Sequence, residues 1–280
     1  MILLFVYSIT IGSQRYIQEP YMNFGYSVHG MYTATLTTFS IYAFYAFRIS
    51  SAKISSKIFY GLVLVATYFL ILQMGSRNGM ISFPLMLIAG FFLFTRGRSL
   101  IKKITMVIAG VMLIGTVAFL NLNTIMQTPA VKRTLLLYGK RGLEESRTGQ
   151  LEAVLKAFPD SPVFGWGGST KASYYVANHY GGIDNDIHNI ILDVFARYGL
   201  LGEFVYLSFM FMVFKRGIFI YRYCQQTKNF LLFIPVFSFG MLLFSGMFVP
   251  WLWNELIWYN AMIIIAIFET LRKENLILEE

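Results

Sequence analysis

Cysteine is nearly absent from this chain, and so is histidine. The single Cys224 excludes an internal disulfide framework and a cysteine-ligated metal cluster. The three histidines, His29, His179 and His188, are scattered without the spacing of metal ligands. Acidic residues are few, 14 Asp and Glu against 23 Lys and Arg, and charged residues of both signs make up only 13% of the chain. Soluble domains carry nearer ~25%. No Gly-rich loop ending in Lys-Ser/Thr occurs, and no Gly-x-Gly-x-x-Gly follows a strand-like run. Nucleotide hydrolysis is therefore excluded as an energy source within this sequence, and no nucleotide, metal or other cofactor is expected. There is no internal repeat and no low-complexity tract.

What the chain has is apolar length. Its residues are 56% hydrophobic and its mean hydropathy is +0.59. Apolar runs cover Met31–Phe47, Ile58–Met74, Met80–Thr95, Ile104–Leu120, Leu200–Phe214, Phe230–Val249 and Leu256–Phe268. Several, extended by their flanks, approach the ~20 residues that cross a bilayer as helix. A β-barrel would instead alternate apolar and polar residues over short segments. The expected class is all-α, a polytopic transmembrane bundle of about eight helices with one large extracytoplasmic loop. A net charge of +9 does not point to nucleic acid, because most basic residues lie in the turns between apolar runs.

Threading the runs puts Arg48, Lys53 and Lys57, the basic residues from Arg96 to Lys103 and from Lys215 to Lys228, and Arg272 and Lys273 on one side. The short connections on the other side receive only Arg15 and Arg77. The positive-inside rule makes the basic side cytoplasmic. Met1–Gly12 is apolar, but its ~18 Å of helix is too short to span ~30 Å, and it lacks the basic start of a signal peptide. The chain reads as beginning inside a helix of a longer protein. The expected organisation is transmembrane helices over residues 1–120, a large extracytoplasmic loop with amphipathic helices over 121–198, and further transmembrane helices over 199–280.

The polar stretch from Asn121 to Arg197 is where chemistry is expected. Arg77 lies nearby in topology, within Gly75-Ser76-Arg77-Asn78-Gly79 at a helix end on the outer side. A guanidinium in that position suits a phosphate ligand, or it bonds lipid headgroups. Arg147 precedes the amphipathic stretch Leu151–Phe158, which Ser146 or Thr148 can cap, and a helix N-terminus favours anions. A loop pairing with Glu144 or Glu145 is the plainer reading. Arg133 and Arg141 are weaker candidates of the same kind. His188, followed by Asn189, starts an apolar helical run, Ile190, Ile191, Val194 and Phe195, that bends at Tyr198-Gly199. An imidazole suits proton abstraction from a hydroxyl, although a helix-start histidine is common without function. Trp166, Tyr174, Tyr175 and Tyr180 can stack on sugars or form an interfacial aromatic belt.

Four places, in order, resemble the O-antigen ligase and polymerase family of bacterial envelope enzymes. They are Ser76-Arg77 with Gly79; Ser146-Arg147; Pro162-Val163-Phe164-Gly165-Trp166-Gly167; and His188-Asn189-Ile190-Ile191-Leu192 with Gly199-Leu200-Leu201-Gly202. The last is similar to the family's His-Asn-x-x-Leu…Gly-Leu-x-Gly pattern and is the most specific. Two departures exist: family members usually have more N-terminal helices, and many place a small residue between the Ser and Arg that are adjacent here.

The resemblance implies an inverting glycosyltransferase of the bacterial cytoplasmic (inner) membrane. Its donor would be a glycan on undecaprenyl diphosphate, and its partners an acceptor glycan, membrane lipids and other polysaccharide-assembly proteins. It implies His188 as catalytic base and Arg77 and Arg147 as diphosphate ligands, with Arg141, Trp166 and Asn189 as glycan or supporting contacts and no obligatory metal. Polymerisation of an O-antigen, capsule or exopolysaccharide is the favoured activity. The alternatives are an O-antigen ligase acting on lipid A core or protein, and a transporter or flippase for a lipid-linked glycan. A transporter would place its ionisable residues near the bilayer midplane.

Overall fold

The computed structural model describes residues 28–48, 53–73, 77–94, 147–182, 186–248 and 255–274, with isolated positions between 99 and 135. Among these residues the secondary structure is entirely helical. The α-helices are α1 (Val28–Arg48), α2 (Ile54–Gln73), α3 (Arg77–Phe94), α4 (Arg147–Ala157), α5 (Thr170–Gly181), α6 (Ile190–Thr227), α7 (Ile234–Gly246) and α8 (Glu255–Lys273). Short 3-10 turns, Phe158–Asp160 and Leu231–Phe233, follow α4 and precede α7. The expected helix at Met1–Gly12, most of Ile104–Leu120, and the turn holding Trp251 and Trp253 lie outside the described residues. Among the described residues two helices have the length and hydropathy to cross a membrane, Ile54–Leu72 and Ile190–Thr227, and Asn78–Phe94 and Leu231–Gly246 are shorter apolar segments.

The chain falls into two compact units, Met1–Lys140 and Arg141–Glu280. In the first, α1 packs against α2 and α3. Phe44 and Tyr45 meet Phe94 at ring distances of 6.3 and 5.6 Å, and Tyr68 stacks on Phe83 at 5.3 Å. Pro84 lies inside α3 and has no N–H to give the carbonyl one turn back, that of Met80. The Tyr68 hydroxyl donates to that carbonyl at 3.3 Å. A half-buried backbone acceptor that the proline would orphan is thus satisfied from the neighbouring helix.

In the second unit α6 and α8 run parallel, with α7 antiparallel beside them. The ring pairs Phe209–Trp258 and Phe219–Phe268 keep one register along α6 and α8. Phe214–Phe239 and Tyr221–Phe233 reverse it along α6 and α7. Gly217 lets the two backbones close, since a Cβ there would stand 2.7 Å from Val236. Against the start of α6 sits a smaller core made by α4 and α5, comprising Val154, Ala157, Val176, Ala177, Ile187 and Ala196. This core positions the candidate site. The sequence reading marked no helix at Thr170–Gly181. Its ends are nonetheless written locally, because Ser169 caps the Lys171 N–H and Gly182 closes the helix at φ 62°.

Candidate functional site

Arg147 opens α4, and Gln150 stands one turn further along the same helix. Thr148 lies within the first turn and does not precede it. Gln150 is 1% exposed, and its amide clamps the extended segment before α6. Its Nε2 donates to the Asp186 carbonyl at 3.1 Å, and its Oε1 accepts the His188 N–H at 2.9 Å. The same Asp186 carbonyl lies 2.6 Å from His188 Nδ1. A carbonyl only accepts, so Nδ1 carries a proton, and in the neutral tautomer of this ring the lone pair is at Nε2. Among the described residues nothing hydrogen-bonds Nε2.

The residue after the histidine fixes the helix that follows. Asn189 Oδ1 accepts the Ile191 and Leu192 N–H groups at 3.0 and 3.1 Å, an N-cap. Its Nδ2 donates to the Met247 carbonyl at the end of α7, at 3.3 Å. One turn into α6, Arg197 Nε donates to Asp193 Oδ1 at 2.7 Å, with the two side chains 2% and 0% exposed. The Ser173 hydroxyl accepts the Ile187 N–H at 3.1 Å. α5 is therefore tied to the histidine segment through Ser173. Burial raises the Asp186 carboxyl above its ordinary value, and electrostatic attraction from His188 and Arg197 opposes part of the rise.

The turn Pro162–Gly167 docks into a break in α6. At Gly199 the backbone leaves the helix, with φ 62° and ψ −160°. A continuous helix would pair Ala196 with Leu200 and Arg197 with Leu201. Instead Ala196 O accepts Trp166 N–H at 3.0 Å and Arg197 O accepts Gly167 N–H at 2.8 Å. Leu200 N–H donates to Pro162 O at 2.9 Å and Leu201 N–H to Val163 O at 3.1 Å. Both broken rungs are thus satisfied by the turn. Trp166 packs on the small core and meets Tyr175 and Tyr180 at 5.2 and 5.6 Å. Tyr180 bonds the Asp160 carboxylate, which pushes its phenol up to about 12.

The Pro162–Gly167 and His-Asn-x-x-Leu…Gly segments, separate in sequence, thus form a single framework. The sequence model of a family described as O-antigen ligase matches residues 30–207, well over half of the chain. The chain belongs to the O-antigen ligase family. Among curated proteins none matches it. Membership makes it a membrane protein of the O-antigen ligase and polymerase kind, whose chemistry is glycan transfer to an acceptor from a lipid-linked glycan.

Within this O-antigen ligase relative, Arg147 and His188 share the second unit, linked through Gln150. Arg77 is the first residue of α3, in the first unit. The side chains of Arg77 and Arg147, and Arg141 altogether, lie outside the described residues. Gln150, Ser173, Asp193 and Arg197 were not singled out from sequence. The only signals were Gln150 falling one turn after Arg147, and Asp193 and Arg197 falling one turn apart.

Proposed function

We propose that the chain is an inverting glycosyltransferase that polymerises a glycan carried on undecaprenyl diphosphate. It would work at the outer face of the bacterial cytoplasmic membrane, in a helix bundle whose large loop is extracytoplasmic. His188 Nε2 takes the proton of the acceptor hydroxyl as its oxygen attacks the anomeric carbon of the donor. The bond from that carbon to the phosphate oxygen breaks, and the electron pair leaves with the diphosphate. Attack opposite the leaving group inverts the carbon. Arg77 and Arg147 stabilise the developing charge. Arg141 and Trp166 are the remaining candidates for glycan contact, and Asn189 supports the base by capping its helix.

One observation carries this reading: a backbone carbonyl accepts from His188 Nδ1, so Nε2 is the ring nitrogen left to take a proton. The experiment is glycan laddering in a strain deleted for this gene, complemented at matched membrane levels. Wild type restores long chains, whereas His188→Ala and Arg77→Ala fail. A full ladder with His188→Ala overturns the assignment of the base. The description of the matching family favours a second reading, ligation to lipid A core or to protein. Purified protein would then move glycan onto core lipid and make no ladder.

A further inference from the structure

The stretch assigned above to an extracytoplasmic loop contains an apolar tip that none of the described residues covers. Phe164 is 72% exposed and Val163 is exposed beside it. Neither side chain belongs to the small core. The Val163 carbonyl is hydrogen-bonded to Leu201, and a Cβ on Gly199 would stand 2.5 Å from that carbonyl. The tip is therefore fastened to the point where the second part of α6 begins.

From that point α6 shows two stripes. Tyr206, Met210, Val213, Gly217, Ile220 and Cys224 face inward. Leu200, Leu201, Phe204 (71% exposed), Phe211 (72% exposed), Phe214 and Ile218 face outward. Between Leu200 and Phe214 the only charged residue is Glu203, which falls in register with the inward stripe. The outward stripe of a membrane-spanning helix is covered by acyl chains. Its charge-free length, about 15 residues or ~22 Å, is shorter than the ~30 Å of hydrocarbon. Val163 and Phe164 continue the apolar surface beyond Leu200, where the helix alone falls short.

We propose that the Val163–Phe164 turn is seated among the acyl chains of the bilayer, as a continuation of the outward stripe of α6. The occupant is membrane lipid. The proposal needs only that α6 spans a membrane, and it stands or falls separately from the glycosyl-transfer reading. On that reading it has a consequence: the turn is bonded to the α6 break, so its insertion would set the height of the histidine segment against the headgroups.

The test uses the full chain in vesicles of phosphatidylethanolamine and phosphatidylglycerol. Cys224→Ala removes the one native thiol, and a nitroxide is attached at Phe164→Cys or, separately, at Val163→Cys. Collision with oxygen, which partitions into lipid, is compared with collision with a water-soluble nickel chelate. Reference positions are Phe211→Cys on the outward stripe and Lys171→Cys on α5. Both turn positions are expected to behave as Phe211→Cys does, with oxygen collisions dominant and nickel collisions several-fold below those at Lys171→Cys. Nickel access equal to that at Lys171→Cys overturns the proposal. So does shielding from both reagents, which would mean that protein or a bound polyprenyl chain covers the turn.

Discussion

Gly165 and Gly199 lie against one another. A Cβ on Gly165 would stand 2.5 Å from the Gly199 nitrogen, and a Cβ on Gly199 would stand 2.7 Å from the Gly165 nitrogen. Each has a positive φ, 65° and 62°. The pair joins the turn after α4 to the break in α6, and each glycine is required by the other's backbone as well as by its own.

Gly199 sits at φ 62° and ψ −160°, a region that is almost exclusively glycine's. Gly199→Ala adds an overlap with the Val163 carbonyl carbon at 2.5 Å. The expected cost is at least about 3 kcal/mol, read as a collapse of the thermal midpoint in detergent and of membrane yield. Gly182→Ala is the control. It shares a positive φ, but its Cβ would meet nothing within 4 Å. It should cost roughly 1 kcal/mol. Equal losses at both sites would mean that the docking contact adds nothing.

These contrasts show what was readable in the residues. Ile58–Met74 was expected and Ile54–Gln73 is found; Met80–Thr95 was expected and Arg77–Phe94 is found. Apolar runs give helices directly, because in an apolar medium the backbone must satisfy itself. The bend at Tyr198-Gly199 was legible from the glycine. Its partner at Gly165 was not, because nothing local records a contact between segments so far apart in sequence. α5 was missed for a different reason. Its buried face is made of Ala172, Ser173, Val176 and Ala177, too small and polar to signal a core. Gln150 looks like a surface residue until its two backbone partners are seen. The His188 assignment was reached from neighbouring residues, but the state of its ring came only from the Asp186 carbonyl.

The buried pair Asp193–Arg197 also read as an ordinary surface pair one turn apart. Arg197→Met would leave the Asp193 carboxylate buried without its guanidinium and should cost about 3–5 kcal/mol. Asp193→Leu with Arg197→Met removes both charges and should recover much of that loss. Thermal midpoints of the two singles and the double, in one detergent, check this. Strict additivity of the single losses would show that the two groups act independently.

Asp186 carries a pH dependence whose sign follows from its surroundings. Its carboxyl is raised by burial, with His188 and Arg197 opposing. A raised value means that the folded state holds the proton more tightly. The contribution to stability is fully present below the unfolded-state value and is lost as pH rises through the folded one. Asp186→Asn abolishes this titration and leaves intact the backbone carbonyl that His188 and Gln150 use. Wild type should therefore lose ground to the variant as pH climbs through the raised value, and thermal midpoints across a pH series measure the gap. A gap moving the other way would show that attraction from His188 and Arg197 outweighs burial.

Gln150 separates orienting the base from merely holding the fold. Its amide matches one donor and one acceptor of the histidine segment, so a change at Gln150 should move the ring without touching substrate. Gln150→Ala removes both bonds. A displacement of the reacting nitrogen by about 1 Å can cost roughly 100-fold in rate. The expected outcome with purified enzyme is a fall of that order in kcat, with KM within about twofold. Gln150→Glu keeps the acceptor for the His188 N–H but sets an oxygen against the Asp186 carbonyl. A carboxylate cannot donate there, so activity should fall further as rising pH ionises it. A change confined to KM would place Gln150 in substrate binding. A loss of protein with unchanged kcat in the surviving fraction would make it structural only. A kcat loss that Gln150→Glu partly restores at low pH, where its carboxyl can donate, is the result that ties this amide to the orientation of His188.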